Sequence, residues 1–404
     1  MDVSETWEEI AGGVTAPQGF RAAGVACGIK PEGRDLMLLV ADRVCSVAGV
    51  FTTNVVKAAP VLFSMKQVKA GRAQAVVINS GSANACTGDE GMSRCTRMAA
   101  EVAQATGLAE ELVLVCSTGV IGRQLPMEKI SDGISKAARV LSPKGGHDAV
   151  QAIMTTDTHP KEVALVLDTA QGQVRIGGMA KGSGMIAPNM ATMLSVLTTD
   201  AQLDPAPLQI ALKDAVDRSF NRVTVDGDTS TNDTVLLLAS GMTGVRLQQG
   251  TQDFAAFERA LRQVTERLAR MIARDGEGAT KLVEIWVHGA QDEESATKIV
   301  KTIANSPLVK TALFGNDPNW GRILMAAGRA GVPFDPSRVD LDLAGIPVVR
   351  AGQPIDFDKA NASAALKADT VVISLLLAEG EGEAVAWTCD FSYDYVRINA
   401  DYTT

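Results

Sequence analysis

Residues 181–200 read KGSGMIAPNMATMLSVLTTD, with no charged residue between Gly182 and Thr199. A stretch this free of charge belongs inside a protein or inside a membrane. Gly182, Ser183, Gly184, Pro188 and Asn189 break any long helix, which excludes a spanning helix. The pattern predicts a flexible, uncharged approach that leads into an apolar strand over 193–197. At the junction stands the pair Ala191-Thr192. A Thr hydroxyl after a small residue can attack the preceding carbonyl. Cleavage of that bond would leave Thr192 with a free α-amine beside its own hydroxyl, a pairing that activates an otherwise weak nucleophile. A glycine-rich turn entering a buried strand has the same pattern, so the stretch needs support from the rest of the chain.

Strand-like runs occur at 36–40, 75–78, 112–116, 163–167, 235–238, 283–287 and 371–377, rich in Val, Ile and Leu. The run 371–378 is aliphatic except for Ser374. It is too short to cross a bilayer and reads as a buried strand. The clearest helix is 253–273, where Phe254, Phe257, Leu261, Val264, Leu268 and Met271 recur at spacings of three and four. Arg267, Arg270 and Arg274 crowd its end and Gly276 stops it. Helical patterns also fit 92–105, 127–140 and 208–218. Strands and helices interleave without a sustained strand-helix-strand rhythm. Asp226-Gly227 and Gly177-Gly178 read as turns of antiparallel connections. The class this supports is α+β, a layered body of helices and sheets.

The chain has 404 residues, 46% of them apolar and 21% charged, a globular balance with room for two lobes. Its net charge of −9 argues against a nucleic-acid partner, which needs a basic face. Aromatic residues at 4% leave little material for base-stacking platforms. The start, MDVSETWEEI, lacks the basic and apolar stretches of a signal peptide, so a cytoplasmic enzyme with no membrane contact is expected. The six cysteines include no C-x-x-C pair and read as reduced core residues. The three histidines are scattered, so neither a zinc site nor a Ser-His-Asp triad is expected.

Three smaller patterns bear on chemistry. Ser117-Thr118-Gly119 follows the run 112–116 and should lie at a strand end, where a hydroxyl and a glycine amide can face a pocket. An oxyanion hole needs such donors; an ordinary Ser-Thr-Gly turn looks the same. Residues 226–233, DGDTSTND, do not follow the calcium-loop order and read as a rigid turn, with no metal expected. Gly182-x-Gly184-x-x-Ala187 formally matches a dinucleotide fingerprint. Pro188-Asn189 spoils the helix that fingerprint requires, so no bound cofactor is expected.

The segment KGSGMIAPNMATML closely resembles the self-cleaving segment of the ornithine acetyltransferase family, the bifunctional glutamate N-acetyltransferases of arginine biosynthesis. Further stretches match that family in order along essentially the whole chain. They are GVTAPQGF (13–20), NSGSANACTG (79–88), STGVIG (117–122), MTTD (154–157), DGDTSTND (226–233), DGEGATK (275–281), GNDPNWGR (315–322) and INADY (398–402). Each alone is modest; the ordered set is specific.

The resemblance implies helices sandwiching β-sheets in two lobes, an α chain of residues 1–191 and a β chain of 192–404 after self-cleavage, and an α2β2 heterotetramer. It implies acetyl transfer from N-acetylornithine to glutamate through Thr192, with acetyl-CoA as a second donor in bifunctional members. It implies an oxyanion hole at Thr118 and Gly119, and substrate binding by Thr155, Lys181, Thr192, Glu277, Asn399 and Thr404. With those substrates, Lys181 suits a carboxylate and Glu277 an ammonium. The competing expectations are an N-terminal-nucleophile amidase or aminopeptidase, in which water replaces glutamate, and an uncleaved nucleotide-binding or non-catalytic protein.

Overall fold

The computed structural model describes residues 7–187 and 193–401. Nine strands form one sheet: β1 (Trp7–Glu9), β2 (Phe20–Val25), β3 (Leu36–Phe51), β4 (Arg72–Ser82), β5 (Val113–Val120), β6 (Lys161–Thr169), β7 (Gly172–Lys181), β8 (Leu194–Thr199) and β9 (Thr234–Ala239). Their order is β1-β6-β7-β8-β9-β3-β4-β5, with β2 also on β3. β3 serves both halves of the sheet. Its first part pairs with β2 and β4 and its last part with β9, with a register shift between Val40 and Cys45. Six strands form a second sheet: β10 (Leu282–Ala290), β11 (Asp340–Leu343), β12 (Ile346–Arg350), β13 (Gln353–Pro354), β14 (Thr370–Leu376) and β15 (Gly382–Cys389). Most pairings are antiparallel, as an α+β class requires; β4 with β5, β8 with β9 and β10 with β14 are parallel.

The helices are α1 (Ala59–Val68), α2 (Gly88–Thr106), α3 (Met127–Arg139), α4 (Gly146–Ile153), α5 (Pro205–Asp217), α6 (Gln252–Arg274), α7 (Glu293–Ala304), α8 (Pro307–Phe314), α9 (Trp320–Gly328), α10 (Lys359–Ala365) and α11 (Tyr393–Asp401). The long α6 forms where the periodicity predicts it. The Thr251 side chain caps its start by accepting from Phe254 N, satisfying an amide that the helix itself leaves unpaired. α6 packs on β6 and β7 of the first sheet and on β10 and β15 of the second. One core cluster therefore joins Leu261, Val264 and Leu268 of α6 to Ile176 on one side and to Val385 and Trp387 on the other. Burying each such side chain stabilises the fold by about 1.5–3 kcal/mol, so this cluster ties the lobes together, while the second lobe also has a core of its own around Ile285, Ile299 and Ile373. Among the described residues no helix is long and apolar enough to cross a membrane.

Residues on either side of position 192 interleave in the first sheet. β8 and β9 follow it in sequence, yet they lie between β7 and β3, which precede it. The second sheet draws only on residues after it.

The structure corrects three expectations. Gly177-Gly178 is not a turn but the middle of β7. A side chain at Gly177 would meet the Gly13 carbonyl oxygen at 2.0 Å, and one at Gly178 would meet Leu197 and Leu268, so these glycines admit close neighbours. Met271 leaves the apolar face of α6, where Ile272 is buried instead. The run 371–378 is not buried on both faces: Val371, Ile373 and Leu375 point into the core, while Val372 and Leu376 are about 40% exposed on the sheet's other side.

Candidate functional site

A cavity of about 240 Å³ opens where the end of β5, the turn after α4, the end of β7, the 226–232 loop, the turn after α6 and the helix α11 meet. Thr118, Gly119, Thr155, Lys181, Glu277 and Asn399, separated by up to 281 positions in sequence, all line it. Ala191, Thr192 and Thr404 lie outside the described residues. Met193, which is covalently bonded to Thr192, is described, and it enters β8 directly.

Lys181 is the last residue of β7 and is 3% exposed. Its Nζ donates to Thr155 Oγ1 at 2.8 Å and lies 3.9 Å from Asp157 Oδ2. The same Oδ2 accepts Thr155 N at 3.0 Å, and Asp157 Oδ1 accepts Gly182 N and Lys161 Nζ, each at 2.7 Å. Lys161 Nζ also donates to Asp275 at 2.5 Å. Two buried lysines thus share two buried carboxylates, the arrangement that makes burying charge tolerable. Burial alone raises the Asp157 pKa, but Lys181 and Lys161 outweigh it and hold the carboxyl well below its usual range. Burial lowers the Lys181 pKa, with Asp157 opposing. The fold therefore spends a charged network on fixing the direction of one ammonium and one hydroxyl toward the cavity.

Glu277 sits in the turn after α6. Its amide donates to Ser183 O at 2.8 Å, and its Oε2 accepts Asn399 Nδ2 at 2.8 Å. A side chain on Gly184 would meet the Glu277 carboxylate at 2.4–2.5 Å, so the glycine in K-G-S-G makes room for that carboxylate. The cavity thus has one cation, Lys181, and three carboxylates, Glu277, Asp226 and Asp228, among its described lining residues. This is the mixed lining an amino-acid ligand needs.

Thr118 and Gly119 lie in the last turns of β5, opposite Ser80 and Gly81 of the parallel β4. The strand runs to Val120, slightly past the sequence-based end. Gly119 has φ +128°, and a Cβ there would meet backbone atoms of Gly81 and Ser82 at 2.4–2.7 Å. Only glycine fits. Thr118 lines the cavity, and among the described residues its hydroxyl makes no hydrogen bond.

Other lining residues were not singled out from sequence. Tyr395 of α11 packs on Phe391 with ring centroids 4.3 Å apart and planes tilted by 33°, and it points its hydroxyl at Asp226, 3.4 Å away. Thr156 Oγ1 bonds Ser183 Oγ at 2.6 Å. Asp226, placed in a rigid turn by the sequence, has its carboxyl in the cavity, where burial pushes its pKa up to about 6 against three backbone amides that favour the ionised form. Spacing carried no signal for Tyr395, since α11 has no buried face. Residues 182–187 contain no helix, so the dinucleotide fingerprint lacks the element it needs.

Relatives match this chain almost end to end. The arginine biosynthesis bifunctional protein ArgJ of Symbiobacterium thermophilum is 54% identical over 98% of this chain and 100% of its own length. That of Parasynechococcus marenigrum is 51% identical over 98% and 97%. A crystal structure of the arginine biosynthesis bifunctional protein argJ from Bacillus halodurans superposes with a TM-score of 0.50 at 47% identity, covering 51% of this chain and 97% of that one. The model of the ArgJ family matches residues 21–404, and with the near full-length relatives this places the chain in the ArgJ family.

Proposed function

We propose that this chain is a self-processing glutamate N-acetyltransferase of arginine biosynthesis, which moves acetyl from N-acetylornithine to glutamate through an ester on Thr192. Membership of the ArgJ family and the names of its close relatives give the pathway and the two-activity character. The observation that carries the site assignment is convergence: a cation, carboxylates, the Thr118 hydroxyl and Gly119 meet in one cavity although the chain supplies them from six separate segments.

Maturation begins with the Thr192 hydroxyl attacking the Ala191 carbonyl carbon. The bond from that carbon to the Thr192 nitrogen breaks, and the nitrogen takes the hydroxyl proton. Water opens the resulting ester, leaving the Ala191 carboxylate and a free Thr192 hydroxyl and amine. The products are residues 1–191 and 192–404. In line with this, the Bacillus halodurans chain is itself almost fully covered yet accounts for about half of this one.

In turnover the Thr192 amine removes the hydroxyl proton as the oxygen attacks the acetyl carbonyl. Thr118 and the Gly119 amide donate to the oxyanion, and the proton passes to the departing ornithine nitrogen. The α-amine of glutamate then attacks the ester, forming N-acetylglutamate and restoring Thr192. Lys181, positioned by Thr155 and Asp157, receives a substrate carboxylate; Glu277, braced by Asn399, receives an ammonium. Thr404 would complete the substrate site. Acetyl-CoA is the second acetyl donor, the two products assemble as α2β2, and the enzyme works in the cytoplasm without a bound cofactor or metal.

The test incubates purified protein with N-acetylornithine and glutamate and quantifies both products, with the Thr192→Ala variant as control. Equal amounts of ornithine and N-acetylglutamate are expected. Ornithine and acetate alone would make the chain an amidase, and neither product from a cut, folded protein would overturn the proposal.

A further inference from the structure

The loop 226–233, DGDTSTND, runs from Val225 to the start of β9 and touches the chain on both sides of position 192. Upstream, Asp226 uses both carboxyl oxygens: Oδ2 accepts Met185 N at 2.6 Å and Oδ1 accepts Ile186 N at 2.8 Å. Met185 adopts φ +56°, a left-handed conformation that a methionine rarely takes unaided. The Ile186 carbonyl in turn accepts Val225 N at 2.8 Å and Thr224 Oγ1 at 3.0 Å. Downstream, Asp233 Oδ1 accepts Met193 N at 3.1 Å, and the Met193 carbonyl accepts Thr234 N at 3.2 Å. Ile186 and Met193 are therefore each held in both directions, and the Ala191-Thr192 bond lies between them.

Asp233 is completely buried, and its Oδ2 has no hydrogen-bond partner among the described residues. A buried carboxyl kept for packing alone is a poor choice, because burying it carries a desolvation cost. Holding one amide is the use the geometry shows. Burial pushes its pKa well above the usual carboxylate range, against the Met193 amide, the Ser230 and Thr52 hydroxyls and Lys181, which favour the ionised form.

We propose that Asp226 and Asp233 are positioning residues for self-cleavage: the two ends of one loop grip the main chain on either side of the Ala191-Thr192 bond and fix the span that must react. The inference rests on the self-cleavage reading above. Its physical basis is orientation. An attack of a hydroxyl on the adjacent carbonyl is intramolecular, and its rate depends on how narrowly the approach is held. Releasing either grip leaves the nucleophile intact but lets the span wander.

The two aspartates call for different substitutions. Asp226 accepts with both oxygens, so Asp226→Asn turns one acceptor into a donor facing an amide N–H. Asp233 holds Met193 N through Oδ1, so Asp233→Asn keeps that acceptor and changes only Oδ2. A general-base role for Asp233 would be lost in both Asp233→Asn and Asp233→Ala. A role in packing alone would tolerate the near-isosteric Asn at both positions.

The experiment follows the full-length chain made by cell-free synthesis, sampled over time on denaturing gels with intact-mass identification of the cut. Asp226→Asn and Asp233→Ala should slow cleavage by about 10²-fold, and Asp233→Asn should restore it to near the wild-type rate. Thermal melts of the same substitutions in the uncut Thr192→Ala background separate a slow cut from a misfolded chain. Wild-type speed in a folded Asp233→Ala or Asp226→Asn variant overturns the clamp. So does an Asp233→Asn variant as slow as Asp233→Ala. If Asp233→Ala does not fold, the order of Asp226→Asn against Asp233→Asn still decides. A wild-type chain that never cuts sinks the self-cleavage reading itself, a result the variants cannot imitate.

Discussion

Gly119 leaves no tolerance for a side chain, because the atoms a Cβ would strike belong to the backbone of β4. Gly119→Ala should therefore displace the amide next to Thr118 and lower kcat with the fold intact. Thr118→Ala removes one donor of the proposed oxyanion hole and should cost about 3 kcal/mol of transition-state stabilisation. Steady-state kinetics checks both, and an effect confined to KM would reassign them to ground-state binding. Asp226 gives a pH signature. Its carboxyl titrates near about 6 in the fold against 3.8 ordinarily, so the folded state binds that proton more tightly. The stability of wild type relative to Asp226→Asn should thus fall as pH rises from about 4 to about 6 and stay level above. Melts across that range measure it; a flat difference would mean the group does not titrate there. Lys181, Glu277 and Thr118 were legible in sequence because they stand inside motifs. Tyr395 was not, since one aromatic residue on an exposed helix has no pattern around it.

The helix α11 covers the cavity without burying any residue of its own. Asn399 to Glu277, Ser392 Oγ to Gly278 O at 2.6 Å and the tilted packing of Tyr395 on Phe391 hold it in place. Asn399→Ala should raise KM by about tenfold, as befits one hydrogen bond to a charged group at about 1.5 kcal/mol. It should leave self-cleavage unchanged, since the bonds of Asn399 among the described residues run to Glu277 and Tyr395. A cleavage defect in this variant would show that α11 supports the reacting span as well. Strands and helices with strong periodicity, such as α6 and β10, were readable because burial of one face imposes the period. Gly177 and Gly178 were misread because glycine marks turns and close approaches alike. Their true role predicts that Gly177→Ala, which drives Cβ into the Gly13 carbonyl, destabilises by about 1–3 kcal/mol. In contrast, Gly328→Ala, at the end of α9 with nothing within 4 Å, should be neutral or mildly stabilising. Thermal melting of the pair provides the comparison.

The chain order of the first sheet could not be read from sequence, because strand runs do not declare their partners. The order has a direct bearing on the proposed products. β8 pairs with β7 from Lys181–Leu194 to Ile176–Thr199, and β9 pairs with β3 from Ser46–Ala239 to Phe51–Thr234. Separating residues 192–404 from 1–191 would break both ladders and expose strand edges. The products should therefore run as one species in native size exclusion and as two on a denaturing gel; dissociation without denaturant would contradict the sheet order. The grip of Asp233 on Met193 adds a further point. It exists only once a loop forty residues downstream has docked at the start of β8. A chain stalled with the second half of the sheet unformed holds the reactive Thr but not the geometry. On the proposed self-cleavage, the cut would serve as a receipt for assembly, written once into the covalent structure and not erased by later unfolding. In a cell extract, the ratio of cut to intact chain would record how many molecules had ever completed this sheet, including those no longer folded when sampled.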